Sequence, residues 1–128
     1  MGPESEDERA AGELCSLERE GELTVARILA PELYAGGAAD AVGQQLLESA
    51  RAGEFRALLI DFSRVDVLSS AFLGALVLLQ QALKSHGGHM RIFGLHETLE
   101  QVFQIARLQD LFGVDPDEET ARAEIARQ

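Results

Sequence analysis

At 128 residues, with 46% apolar and 26% charged side chains, the chain has the length and composition of one soluble domain and leaves no room for two. Acidic residues outnumber basic ones 22 to 11, a formal charge of −11, so the surface repels phosphate backbones and anionic lipid and argues against direct nucleic-acid or membrane binding. The single cysteine, Cys15, excludes an internal disulfide and fits a reducing compartment.

Residues 1–13 carry five acids and one arginine without aliphatic bulk to bury, which predicts a disordered acidic tail ahead of a domain spanning 14–127. The same stretch is acidic where a secretory signal would be basic and then greasy, so a cytoplasmic location is expected. Leu14 to Arg19 and Glu22 to Leu29 alternate around Glu20-Gly21 and read as two strands joined by a tight turn. Pro31 ends the second strand. From Ala38 to Ala52, Ala38, Ala41, Val42, Leu46, Leu47 and Ala50 recur at helical spacing, and Gly53 closes that helix. Phe55 to Phe62 holds the run Ala57-Leu58-Leu59-Ile60, the pattern of a strand covered on both faces.

A connection, Ser63 to Ser70, leads into a helix from about Ser70 to Ser85, which His86-Gly87-Gly88 ends. The apolar run within it, Ala71 to Leu79, is about half of what a membrane span needs. Met90 to Gly94 reads as a strand and Glu97 to Arg107 as an amphipathic helix, with a short extended piece at Leu111 to Val114. The acids of Asp117-Glu118-Glu119 before Arg122 and Arg127 suit the dipole of a terminal helix. Strand–helix alternation of this kind implies right-handed crossovers, hence an α/β domain with a mixed sheet of four to five strands and about four helices packed against it.

Two hydroxyls, Ser69 and Ser70, stand where the second helix begins. A serine there can cap the helix by accepting a bond from a free backbone N–H. A phosphate on such a hydroxyl would face the positive end of the helix and would place about −1.5 to −2 charges on any surface docked there. Phe72, Leu76, Leu79 and Leu83 form a stripe that should face the sheet. Leu73 and Val77 diverge from it beside Gly74, either buried under neighbouring helices or forming a docking patch with Ser70 at its rim. Gly74 weakens the helix by about 1 kcal/mol relative to alanine, for which a close backbone approach would compensate.

The run Leu58-Leu59-Ile60-Asp61-Phe62-Ser63-Arg64-Val65-Asp66-Val67-Leu68-Ser69-Ser70-Ala71-Phe72-Leu73-Gly74 resembles the signature of the STAS domain, the family of bacterial anti-sigma factor antagonists. His86 to Leu95 resembles that family's glycine-then-strand segment, and Val102 to Phe112 its third helix and closing leucine–phenylalanine pair; with the opening strand pair the likeness covers about residues 13–127. It implies a single STAS-like domain that captures a protein partner, a serine kinase that is also an anti-sigma factor, and so regulates transcription. The phosphoacceptor serine of the family falls on Ser70. Ser69 stands where the family has aspartate, Ala71 where it has serine or threonine, and Phe72 where it has glycine, while Leu73 and Gly74 match. The partner-binding residues expected on this basis are Asp61, Ser69, Ser70, Leu73, Gly74 and Val77, in a monomer or weak dimer. A scaffold subunit of a signalling assembly, or an accessory subunit of a lipid-transport ABC system, is the alternative that the same resemblance leaves open.

The remaining residues suggest no catalysis and no cofactor. His86, His89 and His96 do not have the ligand spacing of a structural zinc site. The glycine pairs Gly36-Gly37 and Gly87-Gly88 lack a phosphate-binding fingerprint. Cys15 reads as a small apolar filler of the first strand. Asp61 at a strand end reads as a turn-stabilising residue or as one that orients the loop toward Ser70, and Asp66 as solvated.

Overall fold

The computed structural model describes residues 14–33 and 37–128, with the backbone alone at 37–39, so the expectation for the acidic segment 1–13 lies outside the described residues. In chain order the elements are β1 (Cys15–Glu20), β2 (Leu23–Ile28), β3 (Glu32–Leu33), α1 (Gly37–Arg51), β4 (Ala57–Asp61), β5 (Val67–Leu68), α2 (Ser70–Ser85), β6 (His89–Phe93), α3 (Glu97–Ile105), a 3-10 turn (Leu108–Asp110), β7 (Gly113–Asp115) and α4 (Glu118–Ala126). The main sheet runs β1-β2-β4-β6-β7, with β1 antiparallel to β2 and every other pair parallel. This is the expected mixed five-stranded sheet with helices packed on it. Gly21, at φ +63°, makes the turn between β1 and β2, a left-handed conformation that glycine adopts without steric cost.

The alternation of side chains divides the sheet into two faces. Ala26, Ile28, Leu58, Ile60, Met90 and Ile92 point to the face covered by α1, α2 and α3, where Phe72, Leu76, Leu79, Leu83, Leu99 and Phe103 complete the main core. The stripe of α2 therefore faces the sheet as its spacing requires. Val25, Leu59 and Phe93 point to the other face, covered by Ala121 and Ile125 of α4. Covering on both sides explains why β4 is a continuous apolar run.

Three details depart from the sequence-based expectation. The short pair β3–β5 lies outside the expected elements; Glu32 pairs with Val67 and Leu33 with Leu68 in a separate two-stranded ladder. The third helix stops at Ile105, because Arg107 takes a left-handed conformation (φ 58°) and the chain re-forms as the 3-10 turn. The last strand begins at Gly113 rather than Leu111, since Phe112 is buried in the core and its backbone N–H bonds back to Leu108.

Gly74 also differs. A β-carbon there would meet open space, so no backbone of the described chain approaches it. The close helix contact lies at Gly43, where a β-carbon would come within 3.1 Å of the Ala75 methyl, and this is where α1 and α2 pack together. Glycine on the smaller helix, facing alanine on the longer one, sets their separation.

Candidate functional site at the start of the second helix

The loop from Ser63 to Ser69 is held from both sides before the chain enters α2. The Asp66 and Val67 N–H groups donate to the Pro31 carbonyl at 2.7 and 3.2 Å, and the Ser69 N–H donates to the Leu33 carbonyl at 2.7 Å. Val65 is buried beneath the loop, and His96 at the start of α3 lies 3.5 Å from the exposed carboxylate of Asp66. The segment between β2 and α1, the loop, and the start of α3 thus converge on the beginning of α2.

The two serines divide the work there. Ser69 is extended (φ −82°, ψ 160°), and its hydroxyl oxygen accepts the Phe72 N–H at 3.1 Å; its carbonyl accepts the Leu73 N–H, also at 3.1 Å. Ser69 is therefore the cap. Ser70 is the first residue of the helix, exposed, and its hydroxyl makes no hydrogen bond among the described residues. Its oxygen is free at the end of the helix where unpaired N–H groups and the dipole favour negative charge.

Behind Ser70, Gly74 is exposed and Leu73 and Val77 are half-buried against the core. Both of the latter present only part of their surface, so the docking patch is narrower than two fully exposed side chains would give. Val67 (39% exposed) and Leu78 (45%) add apolar surface on the loop and on the opposite flank of α2. Val67 stands outside the expected site residues. Its signal, a lone valine between Asp66 and Leu68, depends on the β3–β5 pairing that turns it outward.

Asp61 lies elsewhere in the arrangement. It is buried on the sheet face that carries α4, where one oxygen accepts the Ser63 N–H at 2.8 Å and the other accepts Arg27 Nη1 at 3.0 Å. Arg27 also bonds Glu118 of α4 at 2.8 and 3.1 Å and pairs with Glu18 of β1. These carboxylates push the Arg27 guanidinium pKa above its ordinary value, Glu118 most and Glu18 next, and Arg27 in turn holds the Glu118 carboxyl low. Asp61 thus fixes the start of the loop through the backbone of Ser63 and fastens it to a charged network on the far face.

With this geometry in place, comparison with known proteins is decisive for the family. The sequence model of the STAS domain matches residues 18–121. The chain belongs to the STAS domain family. No curated protein matches the sequence. Among solved structures, this STAS domain is similar to the anti-sigma factor antagonist SpoIIAA in its unphosphorylated form, at 18% identity and a TM-score of 0.68, over 88% of this chain and 97% of that one. The phosphorylated form of SpoIIAA, a Bacillus cell fate determinant, matches at 20% identity and a TM-score of 0.66, over 85% and 97% of the two chains. An anti-sigma-factor antagonist (STAS) domain protein from Planctomyces limnophilus matches at 17% identity and a TM-score of 0.77, over 88% and 97%. The murine anion transporter Slc26a9 contains a similar domain, at 15% identity and a TM-score of 0.65, over 87% of this chain but 19% of the transporter. At these identities the likeness is one of fold. Among the described residues, no helix is long and apolar enough to cross a membrane.

Proposed function

We propose that this STAS domain is an anti-sigma factor antagonist, a cytoplasmic binding module that captures a serine kinase-type anti-sigma factor and releases it when Ser70 is phosphorylated. The observation that carries the reading is the division of labour at the start of α2. Because Ser69 caps the helix, the Ser70 hydroxyl has no structural duty and is exposed. A phosphate on Ser70 is tolerated by the helix end yet adds charge beside Leu73, Gly74 and Val77, the surface on which the partner docks. The fold shared with antagonists, one of them known in unphosphorylated and phosphorylated forms, supports the same reading. Asp61 acts in it as a positioning residue, through Ser63, rather than as a contact.

Incubation with ATP and the kinase encoded nearest in the genome, followed by mass-spectrometric mapping, tests the switch. Phosphate is expected on Ser70 and lost in Ser70→Ala, while Ser70→Glu fails to retain the kinase in a pull-down. Phosphate elsewhere, with Ser70→Ala behaving as the parent protein, overturns it. The occurrence of the fold within a transporter keeps a second reading, an accessory or scaffold subunit. That reading predicts stable incorporation into a large assembly regardless of Ser70.

A further inference from the structure

Strand β1 ends the sheet, and among the described residues nothing pairs with its outer edge. Which backbone groups face outward follows from the β1–β2 register. The Leu29 N–H donates to the Leu14 carbonyl at 2.7 Å, so Leu14 and Leu29 form a hydrogen-bonded pair. Along an antiparallel ladder such pairs alternate with pairs that do not bond across. Ser16, Glu18 and Glu20 therefore bond to β2, while the N–H and C=O groups of Cys15, Leu17 and Arg19 point away from it. The side chains of these three residues share the face covered by α1. Leu17 is 42% exposed there, beside a cleft of about 200 Å³ between β1 and α1 lined by Cys15, Leu17, Val42, Gln45, Leu46 and Ser49. An edge that the described residues leave unpaired, with an exposed leucine and no proline, is a template for another strand.

We infer that the occupant of this edge is β1 of a second copy, joined antiparallel about a two-fold axis through Leu17 to give a continuous ten-stranded sheet.

Charge and pairing length together select this register. With Leu17 opposite its counterpart, Cys15 faces Arg19 and Ser16 faces Glu18 of the second copy, and no like charges oppose each other. A register centred on Glu18 sets Glu18 against Glu18, which is destabilising, and one centred on Ser16 sets the outward groups of Arg19 opposite residue 13, outside the strand. The chosen register also satisfies every outward group: Leu17 exchanges two hydrogen bonds with its counterpart, and each Cys15–Arg19 pair exchanges two more. Glu18 and Glu20 do not interfere, because they lie on the opposite face, paired with Arg27 and Arg122. A contact of one six-residue strand per copy is small, and two chains of formal charge −11 repel, so the dimer is weak and strengthens as salt screens that repulsion. Ser70 begins a helix that packs on β6, away from this edge, so both copies keep that site.

Sedimentation of the full chain from about 1 µM to about 1 mM, at low and moderate salt, tests the inference. A monomer–dimer equilibrium is expected, with Leu17→Lys weakening it at least tenfold by setting two cations across the axis, while the circular dichroism melt shows that the variant still folds. Oxidised Leu17→Cys should cross-link as a symmetric dimer, since directly opposed hydrogen-bonded residues have Cα atoms about 5.5 Å apart, within disulfide range. Ser16→Cys, whose two copies are displaced along the strands by about 6.8 Å, should not. A monomer throughout, a dimer indifferent to Leu17→Lys, or equal cross-linking by both cysteine variants overturns the inference. So does a monomer that binds only an added extended peptide at this edge.

Discussion

The two faces of the sheet are held by different physics. On one, three helices bury a continuous apolar core that includes Phe62, Phe72, Phe103 and Phe112. On the other, the nine-residue α4 inserts Ala121 and Ile125 over Val25, Leu59 and Phe93, and its attachment is otherwise ionic. Arg27 and Arg122 hold Glu118, Arg122 reaches Glu20 of β1, and Arg91 pairs with Asp115 of β7 just before the helix. Apolar contacts carry no charge to titrate or screen, whereas ion pairs at partly exposed positions weaken with salt and with loss of charge. The first face holds the larger apolar cluster, and the second ties the placement of the last helix to solution conditions.

The largest expected effect comes from breaking the first face. Phe103→Ala should lower unfolding stability by about 3–5 kcal/mol in a urea titration, because a fully buried ring leaves a cavity. Ile125→Ala on the second face should cost about 2 kcal/mol, the low end for such truncations, since a terminal helix over a small cluster can relax. Equal losses at the two positions would contradict the contrast. Ser69→Ala should cost about 1 kcal/mol by removing the α2 cap, while Ser70→Ala leaves the urea midpoint nearly unchanged. The reverse order would mean that the serines have exchanged roles.

Acid sharpens the contrast by a smaller amount. The Glu118 carboxyl is held below its ordinary value of 4.5 chiefly by the hydrogen bond from Arg27, with Arg122 adding a second, against a desolvation that works the other way. Folding lowers its proton affinity, so its contribution is complete above the ordinary value and disappears as pH falls through the folded one. Glu118→Gln should therefore flatten the acid limb of the stability profile, measured by thermal melts between pH 7 and pH 3, and added salt should shrink the difference between the two proteins.

Much of the fold could be read from periodicity, because long elements repeat their pattern. The α2 boundaries and its buried stripe, the strand centred on Leu59, and the terminal helix with its acids first all follow from residue spacing and charge order. The β3–β5 ladder could not be read, since two residues per strand carry no period and its partners lie far apart in sequence. The site was half legible. Two adjacent serines at a helix start announce a cap, but which one caps depends on the backbone angle at Ser69, which the Leu33 carbonyl helps to set. Gly74 is a glycine inside a helix, yet Gly43 makes the close contact, because only Gly43 faces Ala75 across the helix pair. The link from Asp61 through Arg27 to Glu118 joins residues up to 91 apart in sequence, and no local pattern encodes it.

Cys15 sits at the mouth of the cleft beside α1, and burial pushes its thiol pKa up to about 11. At neutral pH only about one molecule in ten thousand then carries the reactive sulfur anion. The native sulfhydryl should consequently be slow toward maleimides and peroxide. Fluorophores or spin labels attached to cysteines newly placed on exposed ground, such as Leu78, would report from that position with little background from the original one.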